Sequence, residues 1–290
     1  MKVSLISAPY DLGRERVGMG AGPVRYLGAG VDLSLTDKGF EVEVETVERE
    51  GLFEDKFSTV ADVNARLAER VREAVGRGDF PLVLGGNCDT AIGVVAGLDP
   101  SRIGVIWFDA HGDFGTPETT PSGYLGSMPL SIIAGHCHGQ ILKSTGNGTT
   151  VPEKNVVMVD VRNAEPEQRI RLENSAVQVI ARSEIESGLH DALTDLSSRV
   201  DEIYLHIDID SLDPLYAPGV DFPAPNGLSV EDVETAVSMV ARIFRIRAAS
   251  LTAYNPDKDE ENKTLQAGMR LLATVAEAVA GSGKEVRHDG

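Results

Sequence analysis

Ile103-Gly104-Val105-Ile106-Trp107-Phe108 runs directly into Asp109-Ala110-His111-Gly112-Asp113. The first six residues form a short apolar run with the length and composition of a strand buried on both faces. Two carboxylates and an imidazole then follow within one pentapeptide, where that strand should end. In open parallel sheets, ligands bind outside the carboxyl ends of the strands. A second apolar run ends in the same way, in His206-Ile207-Asp208-Ile209-Asp210-Ser211-Leu212-Asp213-Pro214. The reading of the chain depends on these two acidic clusters meeting.

Working outward, further strand-like runs occur at 2–8, 40–47, 80–84, 155–161, 176–180, 202–209 and 245–252. Helical stretches fall at 58–77, up to about 97, near 127–134 and at 165–173, 182–198, 229–242 and 260–279. The longest stripe, Val60, Val63, Leu67 and Val71, has helical spacing. Strands alternating with helices predict an α/β fold, a parallel sheet with helices on both faces in three layers. No linker-like composition shift or internal repeat divides the chain, so one domain is expected over 1–280, with a polar, disordered tail over 281–290. Gly18-Met19-Gly20-Ala21-Gly22-Pro23 is a glycine-rich loop with Pro23 placed to start a helix. It lacks the acidic ribose partner of a dinucleotide site. Residues 114–127 form a loop rich in Gly, Thr, Pro and Ser, placed as a binding loop. Residues 136–150 are expected as a surface loop. The His136-Cys137-His138 cluster within it has no neighbouring ligands to complete a metal site.

Composition narrows the partners. A hydrophobic fraction of 42% supports a substantial core, while a net charge of −18 argues against nucleic acid or an anionic membrane as the main partner. Two cysteines, Cys88 and Cys137, make no disulfide framework, and a reduced cytoplasmic setting is expected. The N-terminus reads as a strand rather than a signal segment, and no apolar run reaches membrane-spanning length.

Side chains two apart on a strand share a face, so Asp208 and Asp210 project together with His206 further back. Asp109, His111 and Asp113 repeat the spacing. Four crowded carboxylates repel unless a cation stands among them. Oxygen donors with one imidazole suit Mn²⁺ or a similar divalent ion rather than structural zinc. Asp213, before a proline, reads as turn chemistry.

With these residues in view, the chain resembles the ureohydrolase family of arginase, agmatinase, guanidinobutyrase and formimidoylglutamase. Asp109–Asp113 and Asp208–Pro214 look like its signature motifs. Further landmarks are the Gly18–Pro23 loop, Gly85-Gly86, the Thr116–Gly123 loop, Val161-Arg162 and Tyr254-Asn255-Pro256. The resemblance implies a single arginase-like α/β domain with a central eight-stranded parallel sheet and two Mn²⁺ ions per subunit. It also implies a metal-bridging hydroxide that attacks a guanidino carbon. Asp109 and Asp208 would bridge the ions, Asp113 would complete one site, and His111 with Asp210 the other. Ser122 matches a substrate-contacting serine. Glu165 falls where an acid binds the α-amino group. The family often forms homo-oligomers.

The departures bear on the substrate, expected to be a small guanidino or hydroxyguanidino amino acid. Cys88 replaces the first histidine ligand, as a softer thiolate ligand or as a buried thiol beside a one-metal site. Gly126 replaces the proton-shuttling histidine, leaving Asp113 as the catalytic proton relay. Gly115 and Tyr124 replace the asparagines that hold the α-carboxylate, and Tyr124 is a substrate-binding candidate. Ala253 replaces the carboxylate that receives the guanidinium. A buried guanidinium without that partner is disfavoured. An N-hydroxyguanidine, which is less basic, fits better. On these grounds the chain most resembles the branch that cleaves Nω-hydroxy-L-arginine to hydroxyurea and L-ornithine in D-cycloserine biosynthesis. The alternatives are a hydrolase of another guanidino compound and a metal-binding homologue that regulates without catalysis.

Overall fold

The computed structural model describes residues 1–51, 55–185 and 187–285. Eight strands, all parallel, form one sheet: β1 (Lys2–Ala8), β4 (Glu41–Thr46), β5 (Phe80–Gly85), β6 (Ile103–Phe108), β7 (Val156–Val159), β8 (Gln178–Ile180), β9 (Glu202–Asp208) and β10 (Arg245–Thr252). The short pair β2 (Tyr10–Asp11) and β3 (Arg14–Glu15) makes a separate antiparallel hairpin. The sheet order is β4-β1-β5-β10-β9-β6-β7-β8. The residues of β5 and β6 are buried throughout, as expected of central strands covered on both faces.

Two apolar clusters, one on each side of the sheet, make the three layers. One is covered by α1 (Gly22–Gly28), α2 (Val31–Asp37), α8 (Gly188–Ser197), α9 (Val230–Ile243) and α10 (Lys263–Glu285). The other is covered by α3 (Lys56–Arg77), α4 (Ala91–Gly97), α5 (Pro129–Ile133), α6 (Gly139–Ser144) and α7 (Pro166–Glu173). The stripe Val60, Val63, Leu67 and Val71 is fully buried in the second cluster. Asp55 caps α3 by accepting from the Ser58 N–H at 2.9 Å, and Ser229 with Asp232 forms a capping box on α9.

Three expectations change. Residues 136–150 are not a loop throughout, because α6 occupies Gly139–Ser144 and buries Ile141 and Leu142; the flanking glycines hid this short apolar pair. α2 was not foreseen. α10 continues to Glu285, into the stretch expected as a tail, and residues 286–290 lie outside the described residues. No helix among the described residues is long and apolar enough to cross a membrane.

Register brings the chemistry together. Phe108 of β6 pairs with Ile207 of β9, so Asp109 and Asp208 leave neighbouring strands side by side. Thr252 of β10 pairs with Asp208, and Leu251 pairs with Leu84 of β5. The segments after β5, β10, β9 and β6, four adjacent central strands, therefore open into one region.

Candidate metal centre and substrate cavity

Each acidic side chain is set by the turn that ends its strand. Asp208 closes β9 and caps the 3-10 turn Ile209–Ser211, its Oδ1 accepting from the Asp210 N–H at 2.7 Å. Asp109 Oδ1 accepts from the His111 N–H at 2.7 Å, and its Oδ2 accepts from Trp107 Nε1 at 3.0 Å. The Ala110 N–H donates to Asp210 Oδ1 at 3.2 Å, tying the two clusters together. His111 Nδ1 lies 3.0 Å from Asp210 Oδ2 and 3.5 Å from Asp109 Oδ1. After β5, Asn87 caps the turn Cys88–Thr90 and accepts from the Cys88 N–H at 2.6 Å, and the Cys88 thiol donates to Asp208 Oδ2 at 2.8 Å.

Two groups of metal-competent atoms result, Cys88–Asp109–Asp208 and Asp109–His111–Asp210, with the atoms of each within 4.8 Å of one another. Asp109 belongs to both, the placement a bridging carboxylate needs. Asp113 stands outside both groups but lines the same cavity, and its Oδ2 is buried without a hydrogen-bond partner. Such an orphaned carboxylate oxygen needs a proton or a cation. Burial, then the charges of Asp109 and Asp210, push Asp113 well above the usual carboxylate range despite His111. Burial, then Asp210 and Asp109, do the same to Asp208. The Cys88 thiol is likewise raised, first by burial and then by Asp208, Asp113 and Asp109. Burial opposes charge on His111, but its bonds to Asp109 and Asp210 outweigh this and raise it to about 12. This donor set fits a pair of divalent cations, which would offset the burial and mutual repulsion that raise Asp113 and Asp208.

Behind the acids lies a support the sequence reading placed only in outline. The buried His206 ring stacks on Trp107, centroids 3.6 Å apart, and its Nδ1 meets Tyr204 Oη and Ser250 Oγ, each at 3.0 Å. Burial pulls His206 down to about 3, so it stays neutral. Trp107, fixed by that stack, aims its N–H at Asp109. Arg162 is a second clamp. Its guanidinium donates to the carbonyls of Asp210 (2.9 Å), Ser211 (3.2 Å) and Ala224 (2.8 Å), and to Asp160 Oδ2 (2.8 Å). A lysine cannot reproduce that planar fork. We expect Arg162→Lys to lose about 2–4 kcal/mol of stability in denaturant titrations and to bind metal more weakly by calorimetry.

A cavity of about 670 Å³ opens onto the cluster. Ser122, Tyr124 and Glu165, the candidate substrate contacts, all line it, as do Cys88, His111, Asp113, Asp208 and Asp210. No lysine or arginine among the described residues does. Its field is therefore negative and suits a substrate bearing a positive charge, such as an amino group. Ala253 lines the reacting end in a left-handed backbone, φ 68°, with its N–H on the Gly86 carbonyl at 2.9 Å. Asp113 also has positive φ, 42°. Non-glycine residues in this region store strain, which concentrates at functional sites. The reading from sequence missed Phe222, Asn87 and Asn163. Phe222 stands edge-on to His111 at 6.1 Å, and Asn163 Nδ2 approaches His111 Nε2 at 3.3 Å. An aromatic between Asp221 and Pro223, in the proline-rich loop after Asp213 that also carries Tyr216, was the available signal for Phe222.

Other candidates fall outside the centre. His136 Nε2 pairs with Glu153 at 2.8 Å, while the His138 ring rests 4.9 Å from Phe57, so the histidines flanking Cys137 do not converge. Asp213 accepts from the N–H groups of Leu215 (3.0 Å) and Gly227 (3.1 Å), the turn chemistry expected of it.

Comparison with known proteins agrees with this geometry. The sequence model of the arginase family matches residues 1–277. The arginase of Bacillus caldovelox is 33% identical over an alignment spanning 94% of this chain and 97% of that one. The arginase of Bacillus subtilis is 32% identical over 94% and 97%. A crystal structure of Bacillus subtilis arginase superposes with a TM-score of 0.86 at 32% identity, covering 95% of this chain and 98% of the other. The chain therefore belongs to the arginase family, hydrolases that cleave carbon–nitrogen bonds of guanidino compounds.

Proposed function

We propose that the protein is a dimanganese amidinohydrolase that cleaves Nω-hydroxy-L-arginine to hydroxyurea and L-ornithine, as in D-cycloserine biosynthesis. The observation behind this reading is Ala253, which presents a methyl group to the cavity; besides the metal cluster the lining carboxylates are Glu165 and Asp221, and Asp221 is already engaged by Asn255 and Lys258 at 2.8 and 2.7 Å. A guanidinium placed there has no acid of its own, whereas an N-hydroxyguanidine is much less basic and needs none. Asp109, common to both groups of candidate ligands, would hold both ions, with Cys88 and Asp208 in one group, His111 and Asp210 in the other, and Asp113 beside them on the cavity wall. Such a pair of ions supplies a nucleophile at neutral pH and stabilises charge as the guanidino carbon becomes tetrahedral.

The protein's own groups do the rest. Glu165, at the start of α7 and on the cavity wall, orients the substrate α-amino group. Ser122 and backbone donors of its loop face the α-carboxylate. Asp113 relays a proton to the departing ornithine amine, since Gly126 has no side chain to do so. L-Arginine is the second reading, favoured by the identity with two arginases.

The test is direct. Mn²⁺-loaded protein is incubated with Nω-hydroxy-L-arginine, L-arginine and agmatine, and hydroxyurea and urea are measured. We expect kcat/KM for the hydroxylated substrate to exceed that for L-arginine by about a hundredfold, about 3 kcal/mol of transition-state discrimination. Comparable turnover of L-arginine would remove the basis of the proposal. No turnover of any of the three would favour a non-catalytic metal-binding role.

A further inference from the structure

Two positions in one loop share a single space at the reacting end of the cavity. A Cβ on Gly126 would stand 2.6 Å from Cε1 and Cζ of Tyr124 and 2.7 Å from its hydroxyl. Carbon atoms do not approach so closely without displacement. An inward Tyr124 and any side chain at position 126 therefore exclude one another. The glycine does more than remove a proton carrier: it admits a phenol.

That phenol is held on two sides. Asn87 Nδ2 donates to the Tyr124 hydroxyl at 3.2 Å, and the Tyr124 and Phe222 rings meet with centroids 5.5 Å apart. Asn87 is itself fully engaged. Its Nδ2 also donates to Asp11 Oδ1 at 2.9 Å, and its Oδ1 accepts from the Cys88 N–H. The backbone donor at Cys88 fixes which end of the amide is oxygen, so Asn87 can only donate to Tyr124. The hydroxyl's own proton has no acceptor among the described residues. It is free to point into the cavity, which Tyr124, Cys88, Gly126 and Ala253 line together.

We propose that Tyr124, seated by Gly126 and Asn87, selects a hydroxyguanidine over a guanidinium by donating a hydrogen bond from its hydroxyl to the N-hydroxyl oxygen of the substrate. This rests on the hydroxyarginine reading above and names the residue that enforces it. A guanidinium offers N–H donors and no lone pair, so it leaves the Tyr124 proton without an acceptor, even where the hydroxyl's remaining lone pair takes an N–H. A hydroxyguanidine adds an oxygen that accepts. Sites built around such a polar match reject analogues that lack it more strongly than apolar pockets reject a change of size.

Tyr124→Phe keeps the ring, its contact with Phe222 and its fit over Gly126, and removes the hydroxyl. In the Mn²⁺-loaded enzyme, kcat/KM for Nω-hydroxy-L-arginine should fall about 10- to 100-fold while that for L-arginine changes less than about threefold, collapsing the ratio of the two. An unchanged ratio in Tyr124→Phe overturns the proposal and leaves the substrate reading standing. A wild-type enzyme that forms no hydroxyurea overturns both. The shared space is tested separately by melting temperature. Gly126→Ala should lower Tm in the wild-type background and leave it unchanged in a Tyr124→Ala background, where the space is open. Equal losses in both backgrounds would refute the seating of Tyr124 by Gly126.

Discussion

Asp109→Asn is expected to lower hydrolysis by at least about a thousandfold and to reduce bound metal at both positions rather than one. The reason is placement. Asp109 is the residue common to both groups of candidate ligands, so removing its charge weakens each. The fold should survive. Asparagine keeps the shape, and its oxygen can still accept from Trp107 Nε1 or from the His111 N–H. One of those donors loses its acceptor, costing about 1–2 kcal/mol, while repulsion with the raised carboxylates Asp113 and Asp208 is relieved. Metal content by mass spectrometry, beside circular dichroism, separates loss of metal from loss of fold. Full occupancy of both positions in Asp109→Asn would show that Asp109 does not bridge. Cys88→Ser is the informative comparison. Cys88 belongs to one group only, so a thiolate ligand predicts loss of about half the metal, and an incidental thiol predicts none.

Much of this arrangement could be read from the chain because its parts are local. β6 and β9 are short apolar runs buried along nearly their whole length, and one acidic cluster follows β6 while the other begins within the end of β9. Two-residue spacing put Asp109 with His111, which share a ligand group, but Asp210 lies in the turn after β9 and falls in a different group from Asp208. The strand order is not local. β5 neighbours β10, and β9 neighbours β6, although other strands intervene in the chain, so periodicity alone could not say that Cys88 and Ala253 line one cavity. Only the resemblance to a family put them in one site. The supports are non-local for the same reason. Nothing in the spacing of Trp107 and His206 announces a stacked pair, since they meet through the register of β6 with β9. Gly126 looked like a simple deletion of chemistry. It became a packing requirement once the Tyr124 ring was found in its place. α6 and α2 were missed because each is a single short amphipathic stretch bounded by glycines, too brief for a helical period to outweigh loop composition.

Stripping the metal should make stability depend on pH with a sign unusual for acidic residues. A carboxylate whose folded pKa lies above its ordinary value holds a proton that the unfolded chain has released, so stability falls as pH rises through the shifted value. Asp113 and Asp208 are both of this kind, and His111, raised to about 12, acts in the same direction. His206 acts oppositely. It is held neutral down to about 3, so the unfolded chain binds the extra proton below the ordinary value of 6.5, and stability falls as pH drops through that window. Above pH 6.5 only the first effect remains, and His111, raised from 6.5 to about 12, should make the metal-free protein lose stability from pH 7 to 9. Metal-loaded protein should not, because its ligands have already given up their protons and affinity rises with pH. The gap in Tm between the two forms should therefore widen over that range, to on the order of 5–10 °C at a hundredfold excess of ion over Kd. Asp113→Asn supplies the internal control. A neutral side chain at that orphaned oxygen removes one of the protons at issue, so the slope of Tm with pH in the metal-free form should become shallower. A parallel pH profile for metal-free and metal-loaded wild type would mean that the buried carboxylates are not held protonated by one another, and that the centre is not the source of the linkage.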